Sequence, residues 1–193
     1  MSSSLNSRIV KLVAPGAPAE GALDRPRRQC LQALLVLPWL AGAGQAMAAA
    51  PLAGLQRWGE GRYRRYGFHL YDAVLWASEQ PAQPPWALEL TYGRRIAGAR
   101  IVAASLDEMA ALGADPAALP AWGKRLAELL PDVNQGDRLL GVYRDGAADF
   151  YFNAYPRGRL ADAEFARYFF GIWLDPRTSA PELRAALLRR PPS

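Results

Sequence analysis

The sequence predicts an α+β fold built on an antiparallel β-sheet. Strand-like segments come first, followed by a helical block, two further strands and further helices, an order typical of α+β domains. The pair Asp145-Gly146 separates the two later strands, and this dipeptide is a strong signal for a hairpin between antiparallel strands. Hydrophobic residues make up 51% of the chain, which suits one globular domain with a sizeable core.

Alternating side chains define the strands. Trp86–Tyr92 places its large apolar residues on one face of a strand. Phe68–Ala77 is apolar on both faces, which predicts a central strand that is covered on both sides. The two later strands are predicted at residues 139–144 and 149–155, on either side of the hairpin turn.

Helical spacing defines the remaining elements. Residues 97–112 are rich in alanine, a strong helix former, and residues 120–130 carry apolar side chains at helical spacing. Asp162 can cap a third helix, and Asp175-Pro176 ends it because a proline pushes the preceding residue out of helical geometry. We expect the inward stripe of this third helix to be almost fully buried against the sheet: Phe165, Phe169, Ile172 and Trp173.

A short fourth helix is predicted near the C-terminus. Ser179 and Glu182 have the spacing of an S-x-x-E capping box, in which each side chain bonds the backbone N–H of the other residue. Apolar residues then continue the helix at positions 183, 187 and 188.

The first 48 residues have the features of an export signal peptide. Basic residues precede an apolar run at residues 31–44, and Ala46-Met47-Ala48 offers an A-x-A cleavage site. The run is shorter than the ~20 residues that a membrane span needs. We therefore expect a mature domain of residues 49–193 without a stable membrane span, and a disordered leader over residues 1–29. An uncleaved membrane anchor is the alternative.

The segment from Arg27 to Leu31 also resembles a twin-arginine export signal, although Cys30 replaces the usual phenylalanine. Export by a cleaved signal predicts a periplasmic location. Cys30 is the only cysteine of the chain, so the mature domain is predicted to have neither a disulfide nor thiol chemistry.

Composition argues against several classes of function. Residues 49–193 contain 18 Arg and Lys against 16 Asp and Glu, a net charge of +2. No basic stripe interleaved with aromatic residues occurs, so nucleic acid is not expected as a partner. His69 is the only histidine, and this small ligand set predicts no metal site and no cofactor. The chain also lacks the G-x-S-x-G elbow of a serine hydrolase, and Gly59-Glu60-Gly61 lacks the third glycine of a dinucleotide fingerprint.

Several segments resemble bacterial chalcone isomerase-like proteins. The C-terminal motif from Asp162 to Leu188 carries the resemblance, with GFHLYDAVLWA at residues 67–77 and the glycine pair at Gly59 and Gly61. LELTY at residues 88–92, LLPDVNQGD at 129–137 and FYFNAYPRG at 150–158 agree with it. The resemblance implies helices packed across one face of a large antiparallel sheet, an open-faced β-sandwich, with a ligand cleft between the two layers.

The resemblance also implies a set of ligand-binding residues. Plant chalcone isomerases keep an arginine on the first strand soon after a G-x-G, and Arg62 or Arg64 lies near that place, although Tyr63 falls at the literal spacing. Fatty-acid-binding members of the superfamily hold a carboxylate with an arginine and a tyrosine, and Tyr71 lies at about the tyrosine position. We expect Tyr71 to face a cleft beside Arg62 or Arg64. Alternatively, Tyr71 packs in the core and both arginines face solvent.

Other positions of the catalytic enzymes are not matched. Their tyrosine, lysine and asparagine correspond to Ile96, Ala99 and Ala103, whose side chains cannot transfer a proton, and Leu70 replaces a threonine. Chalcone cyclisation needs donors for the developing enolate, and losing one such donor typically costs about 10²–10³ in rate. The sequence therefore predicts no catalytic residue.

The favoured function is binding of a small amphipathic acid, such as a fatty acid, by an exported protein that is not an enzyme. One alternative is an isomerase or intramolecular lyase that uses His69, Tyr71 and an arginine. The other alternative is an envelope accessory factor with a protein partner, which an exposed apolar patch of a few hundred Å² would favour.

Overall fold

The computed structural model describes residues 51–65, 67–81 and 83–189. The predicted leader, residues 1–48, lies outside the described residues. Within them the elements occur in this order: β1 Gln56–Arg65, β2 Phe68–Ala77, β3 Trp86–Tyr92, α1 Gly98–Ala111, α2 Leu119–Leu129, β4 Arg138–Arg144, β5 Ala147–Phe152, β6 Tyr155–Leu160, α3 Ala163–Leu174 and α4 Pro181–Leu187. None of the described helices combines the length and apolar character needed to cross a membrane.

The six strands form one antiparallel sheet in which each strand pairs with the next along the chain, in the order β1-β2-β3-β4-β5-β6. The turn between β4 and β5 contains Asp145 and Gly146 at φ 53° and 68°, the conformation that the aspartate–glycine pair predicts. The predicted α+β class with an antiparallel sheet is therefore confirmed.

The main core lies between the sheet and the helices. Ala73, Leu75 and Ala77 alternate along β2 and are fully buried on the helix side, together with Phe150 of β5 and Phe165 of α3. The opposite side of β2 is only partly buried. The expectation that this strand is central and covered on both faces is therefore wrong: β2 is second in the sheet, and its outer residues are partly exposed.

Helix α3 is capped as predicted, and three of its four predicted inward residues are buried. Asp162 accepts hydrogen bonds from the backbone N–H groups of Glu164 and Phe165 at 2.9 and 3.0 Å, and its other oxygen accepts from Trp122 Nε1 at 2.9 Å. The helix ends at Leu174, directly before the aspartate–proline pair. The inward residues Phe165, Phe169 and Trp173 are buried, whereas Ile172 is only partly buried because it lines the cavity described below, so the expectation of almost full burial is wrong for Ile172.

Helix α4 starts differently from the prediction. No side chain caps its N-terminus, and Pro181 occupies the first turn, where a missing N–H has no cost. Ser179 donates its hydroxyl hydrogen bond to Glu108 Oε1 on α1, at 2.8 Å. The predicted capping box between Ser179 and Glu182 is therefore wrong, because the serine contacts another helix.

The glycine pair of β1 allows α4 to lie directly on the strand. A Cβ atom built on Gly59 would overlap the carbonyl oxygen of Leu187, and one on Gly61 would lie 2.7 Å from Leu183 Cδ1. The G-x-G sequence therefore has a packing role.

Substitution of the first of these glycines tests that role. Gly59→Ala is expected to lower the free energy of unfolding by about 1–3 kcal/mol, because the α4 backbone must shift. Gly61→Ala is the matched control: its Cβ would meet the flexible end of Leu183 and, at 3.0 Å, the Cβ of Ala186, but no backbone atom closer than 3.8 Å, so it should cost less. Equal denaturation midpoints for Gly59→Ala and the unmodified chain would contradict the packing role.

Strand β6 has no counterpart in the sequence prediction. Its first five residues are exposed, and Pro156 lacks an N–H group, which an edge strand tolerates. The predicted strand at 149–155 instead breaks at Asn153 and Ala154, which adopt φ 48° and 72° and turn the chain. The hairpin was missed because β6 shows no alternation of apolar residues.

Candidate ligand-binding site

A cavity of about 810 Å³ lies between the helix-facing side of the sheet and the helical layer. Helices α1 and α3 and the residues just before α4 form its roof. Its volume is in the range typical of small-molecule sites. The sheet contributes side chains from four neighbouring strands: Tyr63, Leu70, Tyr71, Leu90, Tyr92 and Leu139.

Three tyrosines form a row across the sheet in this cavity. Tyr63 lies opposite Tyr71 in the β1–β2 register, and Tyr71 lies opposite Tyr92 in the β2–β3 register. The first two rings are stacked with centroids 5.1 Å apart, and the second pair meets edge to face at 6.0 Å. The register therefore brings three phenols to one level of the cavity wall.

The Tyr71 hydroxyl is oriented by a tryptophan. Trp173 Nε1 donates a hydrogen bond to Tyr71 Oη at 3.0 Å, so the phenolic proton of Tyr71 is left to donate elsewhere. Burial raises the pKa of the Tyr71 phenol well above its ordinary value, although the hydrogen bond from Trp173 partly opposes the change. Burial likewise raises the pKa of Tyr92. Both side chains are therefore neutral hydrogen-bond donors at physiological pH.

Four arginines lie at one end of the cavity lining. Arg65 is the last residue of β1, Arg94 and Arg95 follow β3, and Arg100 lies in the first turn of α1. Strands β1 and β3 run in the same direction, so the arginines that end or follow them lie beyond the same end of the tyrosine row. We call these four residues the arginine mouth.

Two of these cations have no counter-ion among the described residues. Arg95 and Arg100 form neither a hydrogen bond nor an ion pair there, whereas Arg94 stacks on the Phe68 ring at 5.3 Å. Asp132 also lines the cavity, but it accepts a hydrogen bond from the Gly98 N–H at 2.9 Å and so caps α1. The mouth therefore carries a net positive charge.

The rest of the lining is mainly apolar. Leu90 and Leu139 pair across β3 and β4 on the helix-facing side of the sheet, on the side of the tyrosine row that is away from the arginine mouth. Phe169 of α3 also lines this part of the cavity, which we call the apolar floor. Ile101 of α1 and Ile172 of α3 extend this surface. The cavity thus has three layers: an apolar floor, a row of phenols, and a basic mouth.

Of the four residues considered as polar groups of the site, Arg62, Arg64, His69 and Tyr71, only Tyr71 lines the cavity. Arg62 binds Asp72 on the other face of the sheet, with Nε 2.7 Å from Oδ1, and this hydrogen bond holds the pKa of Asp72 below its ordinary value. Arg64 is exposed and does not contribute to the lining. His69 Nε2 lies 3.3 Å from the same aspartate, without hydrogen-bond geometry. The expected grouping of Tyr71 with Arg62 or Arg64 is therefore wrong.

A β-bulge explains this arrangement. Tyr63 pairs with Tyr71, but the next residue, Arg64, pairs with His69, so Leu70 is an extra residue on β2. Leu70 and Tyr71 both line the cavity, and the bulge reverses the alternation so that His69 turns to the outer face. Tyr63 pairs with Tyr71 and therefore faces the cavity as well. It lies at the position where the resemblance places an arginine.

Sequence reasoning missed the other polar groups of the cavity. The alternation of Trp86–Tyr92 places Tyr92 on the apolar face of its strand but does not indicate a role for its hydroxyl. The arginines that follow β3 and begin α1 were also overlooked. Arg94, Arg95 and Arg100 lie close together in the sequence, around the connection between a predicted strand and a predicted helix. This cluster of positive charge is the signal that could have identified them.

The described residues contain no group of three or more His, Cys, Asp or Glu side chains that could hold a metal ion.

The architecture is that of a chalcone isomerase-like α+β fold, as the sequence predicted. Among solved structures, the chain is similar to the fatty-acid binding protein AtFAP1 of Arabidopsis thaliana, with a TM-score of 0.53 and 10% identity over 70% of this chain and 87% of that one. At this identity the likeness concerns the fold alone. The sequence is also 27% identical over 144 residues to an uncharacterized protein of Haemophilus influenzae, covering 73% of this chain and 71% of the relative. No protein-family model matches the chain.

Proposed function

We propose that this protein binds a small amphipathic acid, such as a fatty acid, in the cavity between sheet and helices. The observation that carries the proposal is the layered lining, in which an apolar floor is followed by neutral phenols and then by the arginine mouth, where Arg95 and Arg100 have no counter-ion among the described residues. Such a lining complements a molecule with an apolar tail and an anionic head. The fold shared with a fatty-acid binding protein supports the same proposal.

The geometry favours binding over isomerisation. The isomerase alternative uses His69 as its acid or base, but this residue lies on the opposite face of the sheet from the cavity. Ile96, at the position of a catalytic tyrosine, lines the cavity with an apolar side chain. Tyr71 remains, and its raised pKa suits a hydrogen-bond donor better than a base.

A protein-interaction role has less support on the described surface. Its exposed large hydrophobic side chains are Phe68, 61% exposed, and Tyr155, 70% exposed. They belong to β2 and β6, which are far apart in the sheet order, so they form no common apolar patch.

The proposal is tested by titrating the full-length chain with fatty acids of 8 to 18 carbons in a calorimeter. We expect saturable binding, and a ligand at 100 times its Kd should stabilise the fold by about 2.7 kcal/mol. Fatty alcohols of equal length are the matched ligands, and they should bind more weakly because they lack the charge for the arginine mouth. The absence of any heat signal, together with no lipid in a solvent extract of the purified protein, would overturn the proposal.

We further propose that the protein acts in the periplasm after removal of residues 1–48. The basic residues, the apolar run and the A-x-A site of the leader support this proposal. N-terminal sequencing of the protein recovered from a periplasmic fraction should begin at Ala49. Recovery of an intact N-terminus from the cytoplasmic fraction alone would contradict export.

A further inference from the structure

Two phenols in the cavity have hydrogen-bonding capacity that the described residues leave unused. Tyr71 accepts from Trp173, so its own O–H proton is free to donate. The Tyr92 side chain is 3% exposed, and its hydroxyl forms no hydrogen bond with another described residue. Both tyrosines line the cavity, so their hydroxyls can be reached by water or by a ligand there. These two hydroxyls therefore present donors to whatever occupies the cavity.

The surroundings of the tyrosine row disfavour an anion at that level. Glu108 lines the same cavity, is partly buried, and is held by the hydroxyl of Ser179 at 2.8 Å. A carboxylate placed on the Tyr71 hydroxyl would lie in the field of this negative side chain, which contributes, after burial, to the raised pKa of the Tyr71 phenol. An uncharged oxygen would accept the same hydrogen bond without that repulsion.

Helix α1 separates the two kinds of charge along the cavity roof. Arg100, Ala104 and Glu108 follow one another at steps of four residues, so they share one stripe of the helix, and all three line the cavity. Eight residues of helix correspond to a rise of about 12 Å. The basic position and the acidic position are therefore well separated, and an anionic head is favoured only at the arginine end.

We propose that the ligand is an oxygenated amphipathic acid, with its acid group at Arg95 and Arg100 and an uncharged hydroxyl or keto oxygen, near the acid end, on Tyr71 and Tyr92. The tail then lies on the apolar floor of Leu90, Leu139 and Phe169. This inference rests on the proposed function, and it names the chemical class of the ligand and its orientation in the same cavity.

Affinity measurements with a panel of twelve-carbon acids test the proposal. The panel contains dodecanoic acid and its 3-hydroxy, 5-hydroxy and 12-hydroxy derivatives, titrated into the full-length chain below their micelle concentrations. We expect the 3-hydroxy or 5-hydroxy acid to bind about 3- to 10-fold more tightly than dodecanoic acid, because it supplies an acceptor to buried donors. The 12-hydroxy acid should bind more weakly than dodecanoic acid, because its oxygen would lie on the apolar floor.

Two variants test separately the contact to the acid group and the contact to the uncharged oxygen. Tyr71→Phe should abolish the preference for the hydroxylated acid while changing the affinity for dodecanoic acid little, and Tyr155→Phe on the exposed edge strand is its control. Arg100→Gln should weaken all the acids about 3- to 10-fold and reduce the salt dependence of binding. Arg138→Gln, an exposed arginine away from the cavity, should leave all the affinities unchanged.

The outcomes distinguish this inference from the proposed function. Equal affinity for dodecanoic acid and for every hydroxylated acid would overturn the ligand class, yet the cavity would still be a site for fatty acids. An unchanged preference in Tyr71→Phe, or unchanged affinities in Arg100→Gln, would overturn the orientation in the same way. Absence of binding by all four acids would overturn both proposals.

Discussion

Replacing Phe169 with alanine is expected to lower the free energy of unfolding by about 3–5 kcal/mol, the usual cost of truncating a large buried aromatic residue. The Phe169 side chain is 4% exposed, and its ring lies 5.2 to 5.6 Å from those of Phe150, Phe165, Phe170 and Trp173. Its loss would open a void where the sheet, the third helix and the cavity floor meet. Chemical denaturation of the variant measures the effect.

Phe68→Ala is the matched control for this experiment. The Phe68 ring is 61% exposed and contacts Arg94, so its removal should change stability by no more than about 1 kcal/mol. Similar midpoints for Phe169→Ala and Phe68→Ala would show that the third helix contributes little to the core.

Filling the cavity from its roof should prevent binding. Ala104 faces the cavity from α1, between the basic and the acidic end of the helix stripe. The indole of Ala104→Trp would occupy space inside the cavity that a ligand needs, and forcing a ligand past such an overlap costs about 1–3 kcal/mol. We therefore expect the affinity for dodecanoic acid to fall about 10- to 100-fold.

Ala110→Trp is the control, since Ala110 is exposed on the same helix and lies outside the cavity lining. Both variants should keep the circular dichroism spectrum of the unmodified chain. If Ala104→Trp binds dodecanoic acid as tightly as Ala110→Trp, the ligand does not occupy this cavity.

The sequence was sufficient for features that depend on local chemistry. The cap at Asp162 and the turn at Asp145-Gly146 follow from side-chain types at fixed spacing, and the structure shows both. The inward stripe of the third helix follows in the same way, except that Ile172 is only partly buried. The fourth helix was predicted for the wrong reason, because Ser179 bonds a residue 71 positions away. A capping pattern describes what neighbouring residues can do, and a tertiary partner can take the same hydroxyl.

The site depended on information that side-chain spacing does not contain. Tyr71 was identified through the resemblance, but which side chain faces it depends on the pairing of two strands. Strand alternation correctly groups Arg62 with Arg64 on one face and Tyr63 on the other. Packing determines which face of β1 meets the cavity. Only Gly59 and Gly61 leave room for the fourth helix, so their face is turned toward the helices, and Tyr63 lies on the same face.

The extra residue at Leu70 has a consequence for comparing this chain with distant relatives. If a relative lacks this extra residue, an alignment of β2 without a gap matches each residue beyond the bulge with a residue that faces the opposite side of the sheet in the relative. Counting from the G-x-G of β1 gives Tyr63, which lies opposite Tyr71, whereas a search for the nearest arginine selects Arg62 or Arg64, which do not line the cavity. Functional residues in such proteins are therefore better transferred by backbone pairing than by choosing the nearest residue of the expected type, and a single insertion or deletion here is enough to exchange the polar group that a bound molecule would meet.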